Sequence, residues 1–109
     1  MTFVAEELAL EVIRALRGPI EIIAKRDRDL ESQIRSAASS AALNAGEGWR
    51  REGKDRLHLF RVALGSAGEV RTALRVAVAW GYISDESATP VEPPLDHLIA
   101  VLWKLAHPR

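Results

Sequence analysis

A chain of 109 residues that is 48% apolar and lacks cysteine has material for one hydrophobic core and no second domain, and it excludes disulfides and thiolate metal sites. Fifteen Lys and Arg balance fifteen Asp and Glu, so a uniformly polyanion-binding surface is excluded as well. No run approaches the ~18 uninterrupted apolar residues of a membrane span, and the opening MTFVAEELALEVIR carries acids where a secretory leader needs basic residues. A soluble cytoplasmic protein with no membrane contact is expected.

The first predicted element is a helix over 3–25. Ala5, Leu8, Ala9, Val12, Ile13, Leu16, Ile20 and Ile23 form one broad apolar face, and Glu6, Glu7, Glu11, Arg14 and Arg17 lie opposite. Gly18-Pro19 predicts a kink or short break, because proline lacks an amide donor and crowds the preceding turn.

A second helix is predicted over 30–46, capped by Asp29, with Leu30, Ile34, Ala37, Ala38, Ala41 and Ala45 on one face. A face this poor in volume is buried only where a neighbour comes unusually close. Gly46 and Gly48 are expected to end the helix.

The third helix, over 54–80, has the strongest periodicity. Phe60, Ala63, Ala67, Val70, Leu74 and Ala77 step by three and four, the seam of left-handed helix packing. A second row of Leu59, Val62, Ser66, Ala73, Val76 and Trp80 asks for cover on another side. Gly81 closes the helix, and Ser84 offers the next cap. Pro90, Pro93 and Pro94 then predict an irregular stretch over 84–92 and a last helix over 93–106, with Leu95, Leu98, Ile99, Leu102 and Leu105 inward and Trp103 at an edge.

Four amphipathic helices on short connections predict an all-α, antiparallel up-down four-helix bundle, a single domain over 1–109. There is no strand signal, solenoid repeat or low-complexity tract.

Several motif blocks occur in order within LESQIRSAASSAALNAGEGWRR, GKDRLHLFRVALGSAGEVRTAL and GYIS. Through Ser32-Gln33, Arg35, Ser40, Asn44, Glu47 and Gly48, and then Phe60, Ala63, Gly65, Ser66 and Glu69, the chain resembles the four-helix-bundle family named for proteins encoded in intervening sequences of 23S ribosomal RNA genes. The resemblance spans about Leu30 to Ser84. It implies an up-down bundle assembling as a homopentamer. It also implies kinship in fold with the accessory protein of diversity-generating retroelements, which binds nucleic acid together with a reverse transcriptase. Most members have no established biochemical role. This sequence departs from the family pattern at Gly46, where alanine is usual, and in its proline-rich lead into the last helix.

Charge is uneven along the chain. Residues 50–83 hold seven Lys and Arg against three Asp and Glu, a net of +4, while the segments before and after are each −2. Arg50, Arg51, Lys54, Arg56 and Arg61 are therefore candidate phosphate contacts, with Trp49 as a stacking surface; a solvated helix start neutralised by Glu52 and Asp55 is the structural alternative. Ring symmetry would repeat the basic segment in every subunit.

Asn44 and Glu47, three apart, read either as a polar site or as structural ties: Glu47 to Arg51 or to amides at the next helix start, Asn44 between two helices. Ser66 and Glu69 carry the same two readings. Arg71 and Arg75 read either as ligand contacts or as inter-subunit partners of Glu7 or Glu11. His58, His97 and His107 are scattered without zinc spacing, and GEGWRREG lacks the strand, spacing and Lys-Ser/Thr of a phosphate-binding loop. The expectation is a non-enzymatic homo-oligomer without cofactor or metal whose partners are RNA or DNA and a protein such as a reverse transcriptase. The alternative is an oligomeric protein-protein interaction scaffold.

Overall fold

Asp27 is the hinge on which the N-terminal half is built. In the computed structural model, which describes residues 3–108, its amide donates to the Ile23 carbonyl at 2.8 Å and so closes the first helix, α1 (Val4–Arg26). Its carboxylate accepts from the Leu30 amide at 2.9 Å and opens the second, α2 (Arg28–Trp49). Its other carboxylate oxygen accepts from the Tyr82 hydroxyl at 3.2 Å, and the Arg26 guanidinium lies 5.5 Å over the Tyr82 ring. The cap is therefore Asp27, not the expected Asp29. The extended backbone of Asp27 (φ −157°, ψ 95°) lets its side chain reach the first free amides, and α2 starts two residues earlier than the apolar pattern indicates.

Helix α1 runs through Gly18-Pro19 without a break, contrary to the interruption expected there. Pro19 is buried beside Leu16 and Ile20, and this packing on both sides holds the helix across the amide it lacks.

Helix α2 likewise continues through Gly46 and Gly48 to Trp49, and neither glycine has a positive φ. Both are buried and serve close approach instead. A Cβ on Gly48 would lie 2.8 Å from Phe60 Cε1, and one on Gly46 would lie 2.6 Å from Glu6 Oε1. The α2 face of Leu30, Ile34, Ala37, Ala38, Ala41 and Ala45 is buried as its spacing predicts.

The third helix, α3 (Gly53–Ala79), buries Phe60, Ala63, Ala67, Val70, Ala73, Leu74 and Ala77 and makes its most extensive packing on α2. Small residues facing small residues bring the two backbones together. The second row is covered only in part: Ala73 is buried, Leu59, Val62 and Ser66 are half-buried, and Val76 and Trp80 face solvent. Gly81 (φ 77°) ends the helix as expected; its amide donates to Val78 and that of Tyr82 to Ala77, the paired bonds of a Schellman turn.

Ser84 caps as expected, accepting from the Ser87 amide at 3.2 Å. The stretch after it is not irregular. It forms the short helix α4 (Asp85–Ala88) and a 3₁₀ turn (Thr89–Val91) that buries Val91, before α5 (Glu92–Ala106) begins. Pro93 and Pro94 occupy the first turn of α5, where a missing amide costs nothing. Leu95, Leu98 and Leu102 are buried; Ile99 and Leu105 are half-buried.

The four long helices pack α1 on α2, α2 on α3, α3 on α5 and α5 back on α1, around one core anchored by Val12, Ile23, Ile34, Phe60, Val70, Leu98 and Leu102. The result is one all-helical domain, 42 × 23 × 23 Å, with no strand among the described residues. Among the described residues no helix is long and apolar enough to cross a membrane.

Candidate nucleic-acid interface

The α2–α3 connection, Arg50–Glu52, carries the basic cluster. It is short because α2 ends at Trp49 and Gly53, at φ 60°, turns the chain into α3. Four free carbonyls at the end of α2 need donors. Arg56 serves two of them: its Nε donates to the Gly48 carbonyl at 3.2 Å and its guanidinium nitrogen to the Trp49 carbonyl at 2.8 Å, while the Arg50 amide donates to Glu47. The same guanidinium lies 5.5 Å over the Trp49 ring. A cation at a helix C-terminus also meets the negative end of the dipole, so Arg56 is bound into the fold.

Trp49 is engaged as well. Its ring stacks on Phe3 at 4.4 Å with the planes 13° apart, and Phe3 in turn lies 5.9 Å from Phe60. The stack pins the start of α1 to the end of α2. Trp49 is 43% exposed.

Glu47 accepts from Arg50 at 3.1 Å and from Arg51 at 2.9 Å. Those two hydrogen bonds, the Arg51 bond first, hold its carboxyl below the usual carboxylate range. Both arginines stay more than half exposed. Lys54 and Arg61, exposed and seven residues apart on α3, make no ion pair or side-chain hydrogen bond among the described residues. The basic set thus divides: Arg56 is structural, Arg50 and Arg51 share one carboxylate, and Lys54 and Arg61 are free.

The polar pairs behave differently from one another. The Ser40 and Ser66 hydroxyls meet at 2.8 Å across the α2–α3 seam. Asn44 does not tie two helices; its amide donates to the Ser40 carbonyl at 2.9 Å and to the Ser40 hydroxyl at 3.1 Å, both within α2. It supports the serine that makes the tie. Glu47 faces the arginines and not amides of α3. Glu69 is exposed and unpaired among the described residues. Within the chain, Arg71 pairs with Asp96 of α5.

Sequence reading missed the Phe3–Trp49 stack and the capping by Arg56. The signal for the second was present: an arginine shortly after a helix end whose last turn contains no basic residue.

The model of the 23S rRNA-intervening sequence protein family matches residues 4–104. The chain belongs to that family. A search of curated proteins finds no match. Among solved structures, a protein of unknown function from the S23 ribosomal protein family of Bacteroides thetaiotaomicron VPI-5482 superposes with a TM-score of 0.82 at 16% identity, over 95% of this chain and 99% of that one. At that identity the likeness is one of fold.

Proposed function

We propose that this family member is a cytoplasmic, non-enzymatic accessory protein that assembles as a homopentamer of up-down four-helix bundles and binds RNA or DNA through the α2–α3 connection and the start of α3. The observation that carries the reading is the pair of exposed cations without an ion pair among the described residues, Lys54 and Arg61, together with the exposed Arg50 and Arg51. Residues 47–61 hold five Lys and Arg against three Asp and Glu, so the local charge is +2. One such patch holds a polyanion weakly; a ring repeats it in every subunit, which raises the affinity without new contacts. Packing of successive helices on one another through a one-residue and a three-residue connection supports the up-down order.

Replacing Arg50, Arg51 and Lys54 together with Gln tests the site. Binding to single-stranded RNA or duplex DNA should fall while the mass of the assembly in solution stays the same. Retention of full affinity, or a monomeric wild-type mass, overturns the proposal.

A second reading, an oligomeric protein scaffold, is favoured by Leu43 and Trp103, 72% and 54% exposed. Trp103 is braced by His107, whose ring stacks on it at 4.2 Å. On this reading a protein partner survives nuclease treatment and is lost in Trp103→Ala.

A further inference from the structure

A trough of about 360 Å³ runs between α3 and the α4–α5 segment, on a face of the molecule that the basic connection does not use. Its floor is apolar: Leu74, Ala88 and Leu95 are buried and Val78 is half-buried. Its walls are charged and of opposite sign. Arg75 rises from α3, and Glu92 and Asp85 from the other side. Arg71 and Asp96, also in the lining, are already paired across the trough, so their charges are spent on each other and on holding α3 to α5. Arg75, Asp85 and Glu92 form no ion pair among the described residues.

We infer that this trough binds an apolar zwitterion, an amino acid or dipeptide with a hydrophobic side chain. The guanidinium of Arg75 presents a planar fork of donors that is always charged and matches a carboxylate. Ionised Glu92 and Asp85 are acceptors only and match an ammonium. A simple anion would satisfy Arg75 but set its charge against two carboxylates. A simple cation would satisfy the carboxylates and leave Arg75 unmatched. A molecule carrying both groups meets both walls, and its hydrocarbon covers Leu74 and Leu95. The volume falls in the range of small-molecule sites, roughly 300–1,000 Å³, and admits an amino acid or a dipeptide.

The test is methyl NMR of the intact protein titrated with L-phenylalanine and with Leu-Phe, against 3-phenylpropionate and phenethylamine as single-charge controls. The methyl signals of Leu74, Val78 and Leu95 should shift with at least one zwitterion, and both controls should bind at least tenfold more weakly. Arg75→Ala and Glu92→Gln replace exposed side chains, so helicity is retained, and each should weaken zwitterion binding at least tenfold. The inference is overturned by absence of methyl shifts up to about 10 mM ligand, by a control that binds as well as the zwitterions, or by variants that bind like the wild type. Comparison of the two zwitterions tells a free amino acid from a peptide.

Discussion

The hydroxyls of Ser40 and Ser66, 26 residues apart in the chain, meet at 2.8 Å and tie α2 to α3 midway along their seam. Asn44 donates to Ser40 from the turn below, so Ser40 keeps a partner when Ser66 is lost. Ser66→Ala should therefore cost about 0.5–1.5 kcal/mol, the usual net worth of one hydrogen bond. Ser66→Leu places a branched side chain against a seam of alanines and should cost more, roughly 1–3 kcal/mol. Urea denaturation of the two variants checks the order.

The two glycines near the end of α2 should respond to alanine in opposite ways. At Gly48 the new methyl would sit 2.8 and 2.9 Å from two ring carbons of Phe60 and 3.3 Å from Leu59 Cβ, and the Phe60 ring is buried with nowhere to move. Overpacking of roughly 1–3 kcal/mol then exceeds the ~1 kcal/mol that alanine adds to a helix. At Gly46 the obstacle is the carboxylate tip of Glu6, which swings aside, so Gly46→Ala should be neutral or stabilise by up to ~1 kcal/mol. Midpoints of thermal unfolding distinguish the two.

The Asp27–Tyr82 bond predicts a pH dependence. Desolvation, and then the hydrogen bond and negative charge of Asp27, raise the Tyr82 phenol above its usual value near 10. A group whose folded pKa is raised contributes stability that is complete below the unfolded pKa and is lost as pH rises through the folded one. Wild-type stability should thus decline above pH ~10 more steeply than that of Tyr82→Phe, which has no proton to lose. Asp27→Ala should cost about 0.5–2 kcal/mol at neutral pH through the lost helix cap, and it should reduce the same alkaline difference without abolishing it, because the desolvation of Tyr82 remains.

At the acid end the sign reverses. Arg51 and Arg50 lower the Glu47 carboxyl, so its contribution is present above the unfolded carboxylate pKa and fades as pH falls through the folded one. The group is exposed, so Glu47→Gln should flatten the acid limb of the stability profile only slightly, and that flattening should vanish in high salt.

How far these features were legible depends on the range over which each acts. The seam of α3 and the alanine face of α2 were readable because burial repeats with the helical period, and a pattern from Phe60 to Ala77 survives any local exception. Family blocks carried by Asn44, Glu47, Ser66 and Glu69 pointed to the fold correctly, and the match over residues 4–104 extends well beyond them. The punctuation was misread where a breaker is overruled by packing. Pro19 is held inside α1 by its own burial, and Gly46 and Gly48 are small because Glu6 and Phe60 press on them, not because the backbone turns. Two acids two residues apart, Asp27 and Asp29, are equivalent as caps until Tyr82 arrives from 55 residues away. The basic patch was legible as composition, but its division into structural Arg56, shared Arg50 and Arg51, and free Lys54 and Arg61 depends on where α2 ends, which a glycine-based reading placed three residues early.

The most direct measurement is the salt dependence of binding of a labelled single-stranded RNA to the wild-type assembly and to Lys54→Gln/Arg61→Gln, followed by fluorescence anisotropy. Loss of two phosphate contacts should lower the slope of log K against log salt by about 0.7 for each contact, with helicity and assembly mass unchanged. An identical slope for the two proteins, or no binding by the wild type at low salt, would contradict a nucleic-acid role for this surface.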